Sequence, residues 1–372
     1  MINSMDGMGR FRVSMGRRLL ALAILALLSG CKPQAEGLSN SEKIRDAWFF
    51  SRPSPVIESV CLGFSIKNPS EYVWPASPQK TRISSRKILR DNRNCMRQSG
   101  EEIVKLTYPK AVAADGNGRV YVSDRTGVLL FDESLGEISR FADQSPNDST
   151  VPLGLDVASN GDLYVVDSVR KSVLVYSSQN QYLRTIGEGD FAEPVGAALD
   201  ETNGWLYVSD KSANTVRKYT LTGTFVSLIT SGAAGAPDEL AFPLQLAVNS
   251  KNELLVLHLG LKIVNVYDKT GLYLFSFGLH GGNPNYYFRP RGIAVDSEDN
   301  VYITDFGWEK VQIHSPSGSI RMGFGGAGSM PGRFSLPMML DIDSNDRIYV
   351  VEYGGERVQV FQSHTLKYES GN

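Results

Sequence analysis

The sequence predicts an all-β chain, a six-bladed β-propeller of four-stranded blades, and three observations carry the prediction. A phrase that opens on a proline, runs through a short apolar strand and a polar turn, and closes after a second strand on an acid, replaced by His258 in the fourth copy, is written six times. The copies stand at 108–124, 151–167, 193–210, 242–258, 289–305 and 336–352 of the 372 residues. Their prolines (Pro109, Pro152, Pro194, Pro243, Pro290 and Pro337) are 43, 42, 49, 47 and 47 residues apart, a period that marks repeat architectures. Each phrase is followed by two more short strands, such as "GVLLFD" and "GEISRFA", bounded by Gly, Asn, Asp and Ser. One four-stranded sheet cannot bury both of its apolar faces. Packed radially, each sheet covers its neighbour, and the ring leaves only short edges.

The bulk properties agree. The 36 glycines and 10% aromatic residues suit a turn-rich β protein rather than a disordered one. Formal net charge is −2, from 38 basic and 40 acidic side chains, which gives no general attraction to nucleic acid. No window beyond residue 105 has a helical period.

The N-terminus departs from this average. Arg17 and Arg18 precede an apolar run from Leu19 to Leu28. The run is shorter than the ~20 residues a bilayer span needs, and its charged start and small-residue end describe a secretory signal peptide over residues 1–30, with Met15 the natural start. "LLSGC" resembles the lipobox of bacterial lipoproteins, which implies cleavage before Cys31, lipid on that cysteine and a membrane anchor held by several acyl chains. In that family an Asp after the cysteine retains the protein at the inner membrane. Lys32 stands there instead, so the resemblance implies an outer-membrane lipoprotein facing the periplasm. Loss of residues 1–30 removes four arginines and one aspartate and leaves 34 basic against 39 acidic groups.

Residues 31–81 read as a lipidated tether and irregular segment, with a short helix in "SNSEKIRDAWFF". Cys61 and Cys95 form a candidate disulfide in an oxidising compartment, with two free thiols as the alternative. The propeller domain is expected over 82–372. A strand from outside the repeats must complete the last blade, and Arg82–Leu89, "EEIVKL" at 101–106 and the C-terminal "TLKYE" all qualify. Arg82, Arg86, Arg90, Arg93 and Arg97 also fall at helical spacing, which would make a basic stripe for an anionic surface. The competing reading is a charged outer edge strand that discourages pairing.

The phrase resembles the NHL repeat, over roughly 105–372. Asp115, Asp156, Asp200, Asp296 and Asp343, with Asn249 in the fourth copy, are read as turn residues that cap through their side chains. Asp124, Asp167, Asp210, Asp305 and Glu352 close the second strand and are expected to cap backbone amides rather than form a catalytic ring. Some related propellers are enzymes: amidating lyases hold zinc with histidines, and gluconolactonase-like enzymes hold calcium at the axis. The four histidines here, His258, His280, His314 and His364, occupy different layers of their blades and are not expected to converge. No nucleophile elbow, phosphate loop or zinc-protease motif occurs.

What remains is a surface. Positions beside the opening prolines and closing acids should crowd one end of the ring, giving a candidate binding face of Lys110, Arg125, Lys211, Gln245, His258, Arg291, Phe306, Trp308 and Tyr353. Aromatic and cationic groups of this kind make contact hot spots. Trp308 is either packed on its own blade or a binding anchor. The reading is therefore a monomeric, membrane-anchored envelope lipoprotein that binds a protein, peptide or glycan, leans away from an enzyme, and has no catalytic or metal-ligand set assigned. No cofactor is predicted, though calcium stays open, and nucleic acid is disfavoured. The alternative is a calcium- or zinc-dependent propeller enzyme of the lactonase or lyase type.

Overall fold

The computed structural model describes residues 57–60, 63–66, 73–74, 81–89, 105–133, 137–141, 152–260, 263–282 and 285–365. The signal peptide, Cys31, the short helix of the tether, Cys61 and Cys95 lie outside the described residues. Every regular element among the described residues is a strand.

Four strands precede the repeats: β1 (Ile57–Val60), β2 (Gly63–Ile66), β3 (Val73–Trp74) and β4 (Thr81–Leu89). Blade 1 is β5 (Ala111–Ala114), β6 (Arg119–Asp124), β7 (Gly127–Asp132) and β8 (Glu137–Phe141). Blade 2 is β9 (Pro152–Val157), β10 (Leu163–Asp167), β11 (Ser172–Tyr176) and β12 (Tyr182–Ile186). Blade 3 is β13 (Pro194–Asp200), β14 (Trp205–Asp210), β15 (Thr215–Thr220) and β16 (Phe225–Thr230). Blade 4 is β17 (Leu246–Val248), β18 (Leu254–Leu257), β19 (Val264–Tyr267) and β20 (Tyr273–Phe277). Blade 5 is β21 (Pro290–Val295), β22 (Val301–Asp305), β23 (Lys310–His314) and β24 (Ile320–Gly325). Blade 6 supplies only β25 (Pro337–Ile342), β26 (Arg347–Glu352) and β27 (Arg357–Thr365) from the repeats.

Within every blade, neighbouring strands pair antiparallel in sequence order, and the innermost strand of each blade lies against the innermost strand of the next, β25 against β5 included. The six-bladed ring is thus closed. Its missing outer strand is β4, which pairs with β27 from Val358↔Leu89 to Thr365↔Thr81. Of the three candidate closing strands, the chain uses the one whose Ile88 and Leu89 become buried against blades 6 and 1. As a strand, β4 cannot carry the helical arginine stripe through Arg82 and Arg86. The segment read as irregular contains β1, β2 and β3, which extend the sheet of blade 6 beyond β4.

The core is divided into six apolar clusters, one at each junction between blades. The tyrosine of the phrase has a fixed place in it: Tyr121, Tyr164, Tyr207, Tyr302 and Tyr349 are all buried on their second strands. Their hydroxyls sit near the turn acids where these are present. Tyr302 donates to Asp296 and Tyr349 to Asp343, each at 3.0 Å. On the turn end of the ring, serines lock one blade to the next: Ser159 donates to Glu201, Ser250 to Asp299 and Ser297 to Asp346, through both backbone and hydroxyl.

Main chain meets main chain around the axis. A Cβ on Gly154 would lie 2.5 Å from the Val195 carbonyl oxygen, one on Gly196 2.5 Å from that of Leu244, and one on Gly292 2.7 Å from the Cα of Met339. This is why glycine stands two residues after the proline in blades 2, 3 and 5. In these units a bulge follows the proline, and in blades 3 and 5 a hydroxyl from the second strand bridges it. Ser209 accepts from the Gly196 amide and donates to the Leu244 carbonyl, while Thr304 accepts from Gly292 and donates to Met338. We predict that Gly154→Ala, which must push neighbouring backbones apart rather than move a side chain, lowers unfolding free energy by about 1–3 kcal/mol. Urea denaturation checks this, and an unchanged midpoint would refute the contact.

Candidate functional site

The strand register brings the opening proline and the closing acid together. Pro194 pairs with Asp210, Pro290 with Asp305 and Pro337 with Glu352. At this end of the ring the buried closing acids accept backbone amides. Asp305 takes four, from Phe288, Arg289, Gly307 and Trp308, at 2.7 to 3.1 Å. Asp124 takes Thr107 and Thr126, Asp167 takes Val169 and Arg170, and Asp210 takes Ala192, Glu193 and Ala213. Glu352 takes Ser335 and pairs with Arg357 at 2.6 Å. These acids fix the loops that carry the face, and their oxygens are engaged by amides and neighbouring side chains.

His258 replaces the closing acid in blade 4 and does the same work. Its Nδ1 accepts from Ala241 at 3.4 Å and Gly260 at 3.1 Å, the places that Phe288 and Gly307 hold relative to Asp305. Nδ1 stands as many bonds from the backbone as a carboxylate oxygen of Asp, so the substitution keeps the acceptor. The ring is therefore neutral with its proton on Nε2. Burial pushes its pKa down, opposed by the polar Asn265 side chain and the charge of Glu239. His314 stands at the opposite end of its blade, bonded to the Tyr287 hydroxyl and the Gly318 carbonyl. Among the described residues, no three His, Cys, Asp or Glu side chains are placed to share a metal ion.

Two residues of the expected face are withdrawn from solvent: His258 is 1% exposed and Gln245 6%. Gln245 reaches across the axis, where its Nε2 lies 2.9 Å from the sulfur of Met339, two blades away. Lys211 pairs with Glu193 at 2.6 Å. Lys110 is half-buried and Arg125 exposed. Tyr353 lies 5.0 Å from Tyr108, a residue outside the expected set. Tyr108 and Phe242 precede prolines with φ of 50° and 53°, a left-handed backbone that is costly for bulky side chains; both rings are exposed.

Blade 5 carries the densest group. Phe288 is 57% exposed and lies 6.1 Å from Trp308, itself 37% exposed. Phe288 packs over Gly307, where a Cβ would meet its ring at 2.3 Å. Arg289 lies 5.6 Å over Phe288, Arg291 5.6 Å over Phe306 and Lys310 5.9 Å over Trp308. Burial pushes the Lys310 pKa down to about 8, against the pull of Asp305. Trp308 is packed on its own blade along one side and open on the rest. Phe288 and Arg289 were not legible as site residues, because they stand before the proline, where the copies share no residue type.

A second feature lies in the channel. Asp156, read as a turn acid, is two residues nearer its proline than the others and stands on the innermost strand; its counterpart there is Asp341. Each bridges to the next blade: Asp156 accepts from Leu199 and Asp341 from Ala114, both at 2.8 Å. They keep partial access to the channel, yet the ring encloses them. Burial, then the charge of Asp341, pushes Asp156 up to about 8; burial pushes Asp341 up to about 6, against the Ala114 and Ile342 amides.

No protein-family description matches this chain, and no curated protein matches it. Solved structures do. A protein of unknown function from Bacteroides thetaiotaomicron superposes with a TM-score of 0.56 at 17% identity, covering 74% of this chain and 72% of that one. Virginiamycin B lyase from Staphylococcus aureus gives 0.52 at 14%, covering 78% and 90%. An auxiliary nutrient binding protein from Bacteroides ovatus gives 0.52 at 13%, covering 67% of each. At these identities the likeness is one of fold alone.

Both channel carboxyls hold protons more tightly in the folded chain than in the unfolded one, whose carboxylates titrate near ~4. Their contribution is therefore full below about pH 4 and is lost as pH rises through about 6 and about 8, the two titrating as a pair. Stability measured by urea denaturation should fall between about pH 5 and about pH 9, and less steeply in Asp156→Asn. Equal slopes would overturn the assignment.

Proposed function

We propose that this chain is a lipid-anchored bacterial envelope protein of NHL type whose ring is a binding platform for a periplasmic protein, peptide or glycan, not an enzyme. The observation that carries the reading is the exposed pair Phe288 and Trp308 with Arg289, beside half-buried Phe306 and Arg291, set on a closed ring whose acids already cap amides. Rigid aromatic groups interleaved with arginine supply most of the binding energy in protein interfaces. The fold shared with a nutrient binding protein supports the reading. The lyase neighbour supplies only fold, and the dispersed histidines and amide-capped acids do not favour catalysis.

Two measurements test the two halves. Cys31→Ser should move the chain from the membrane fraction to the soluble envelope fraction; retention in the membrane would defeat the anchor. Against arrays of envelope peptides and glycans, the full chain in detergent should give saturable hits that Trp308→Ala weakens about ten-fold or more. Hits unaltered by Trp308→Ala and Phe288→Ala would place binding elsewhere.

A further inference from the structure

Resting on the platform reading and giving it a ligand chemistry, we propose that Arg289 and Arg291 form an oxyanion site at the proline end of blade 5, taking a carboxylate or phosphate group whose planar or apolar remainder lies on Phe288 and Trp308. Arg289 and Arg291 flank the proline of one blade, and each guanidinium has an aromatic ring beneath it, Phe288 and Phe306, both at 5.6 Å. Neither guanidinium has an ion pair or hydrogen bond with another described residue, and the Nε of Arg291 is buried without an acceptor. Burial, and then the charge of Arg289, pushes the Arg291 pKa down, so the two cations are close enough to oppose each other.

An uncompensated pair of this kind is costly to fold, because desolvation and like-charge repulsion act together. Asp305, the closing acid of the same blade, is committed to four amides and makes no ion pair with either arginine. Arg347, Arg357 and Arg119 are compensated, by Asp343, Glu352 and Asp132; Arg217, over Phe191, also has its Nε buried without an acceptor, but no second arginine flanks its blade's proline. The planar guanidinium suits a two-oxygen anion, with charge-assisted hydrogen bonds roughly twice as strong as neutral ones. Phe288 and Trp308, beside it and open to solvent, suit the planar part of the same ligand.

Isothermal titration of the full chain in detergent, at fixed ionic strength, tests this with four probes: inorganic phosphate, acetate, phenyl phosphate and benzoate. Phenyl phosphate or benzoate should bind saturably, about ten-fold or more tighter than phosphate or acetate, with a similar loss in Arg291→Gln and none in Lys251→Gln, a cation at the turn end of blade 4. The tighter aromatic probe assigns the source as phosphate or carboxylate. Thermal unfolding gives an independent reading: without anion, Arg291→Met should melt higher than the native chain, and saturating probe should narrow the gap. Equal weak responses in all variants, or a lower melting point for Arg291→Met, would overturn the site. If the probes fail while array ligands still depend on Trp308, the platform stands and the anion site falls; if both fail, both readings fall.

Discussion

Around the axis, neighbouring innermost strands approach until backbone touches backbone, and the rest of the ring is arranged to permit this. Gly154, Gly196 and Gly292 stand where a side chain would strike the next blade. Blade 4 and blade 6 have Gln245 and Met339 at that place, and these side chains turn across the channel to meet each other. The same closeness explains the hydroxyls of Ser209 and Thr304, which satisfy amides and carbonyls that the bulged ladder leaves behind. Packing density at the axis is thus achieved with main chain, and the apolar side chains are left for the six junctions farther out.

Tight closure also decides where chemistry can reside. The repeated acids hold loop amides, two of the turn acids hold tyrosines, and Glu201, Asp299 and Asp346 hold the serines of neighbouring blades, so most acids of the ring are engaged within it. Two groups of charged residues stand apart from this. Asp156 and Asp341 remain in the channel, bound to amides yet coupled to each other. Arg289 and Arg291 remain at the proline end, without a counter-charge. The first is enclosed and suited to proton uptake; the second is open, and its aromatic surroundings suit contact.

The ring was legible because its period and its closing acids are both direct demands of blade geometry. The break at His258 was legible for the same reason, though its meaning was not: only the positions of Ala241 and Gly260 reveal that Nδ1 serves as the missing oxygen. Asp156 was misplaced because Ala158 holds the turn position in that copy, which left the acid two residues earlier as the nearest substitute. The closing strand could not be chosen, since pairing over more than 260 residues leaves no local mark. Phe288 joins Trp308 through packing on Gly307, a contact between the approach to a blade and its second turn that no spacing rule encodes.

The pairing of β4 with β27 also sets an order in time. β4 precedes every blade in the chain, and β27 is the last strand described, so a chain emerging from its N-terminus leaves one edge of β4, the edge opposite β2 and β3, unpaired until the last strand is made. Blades 1 to 5 complete their own four strands from consecutive sequence, whereas blade 6 cannot. Pairing that distant in sequence is slow and exposes an unsatisfied edge meanwhile. Ring closure is therefore the final event of synthesis, and any truncation at the C-terminal side that removes β27 leaves both an open ring and a leading strand unpaired along that edge.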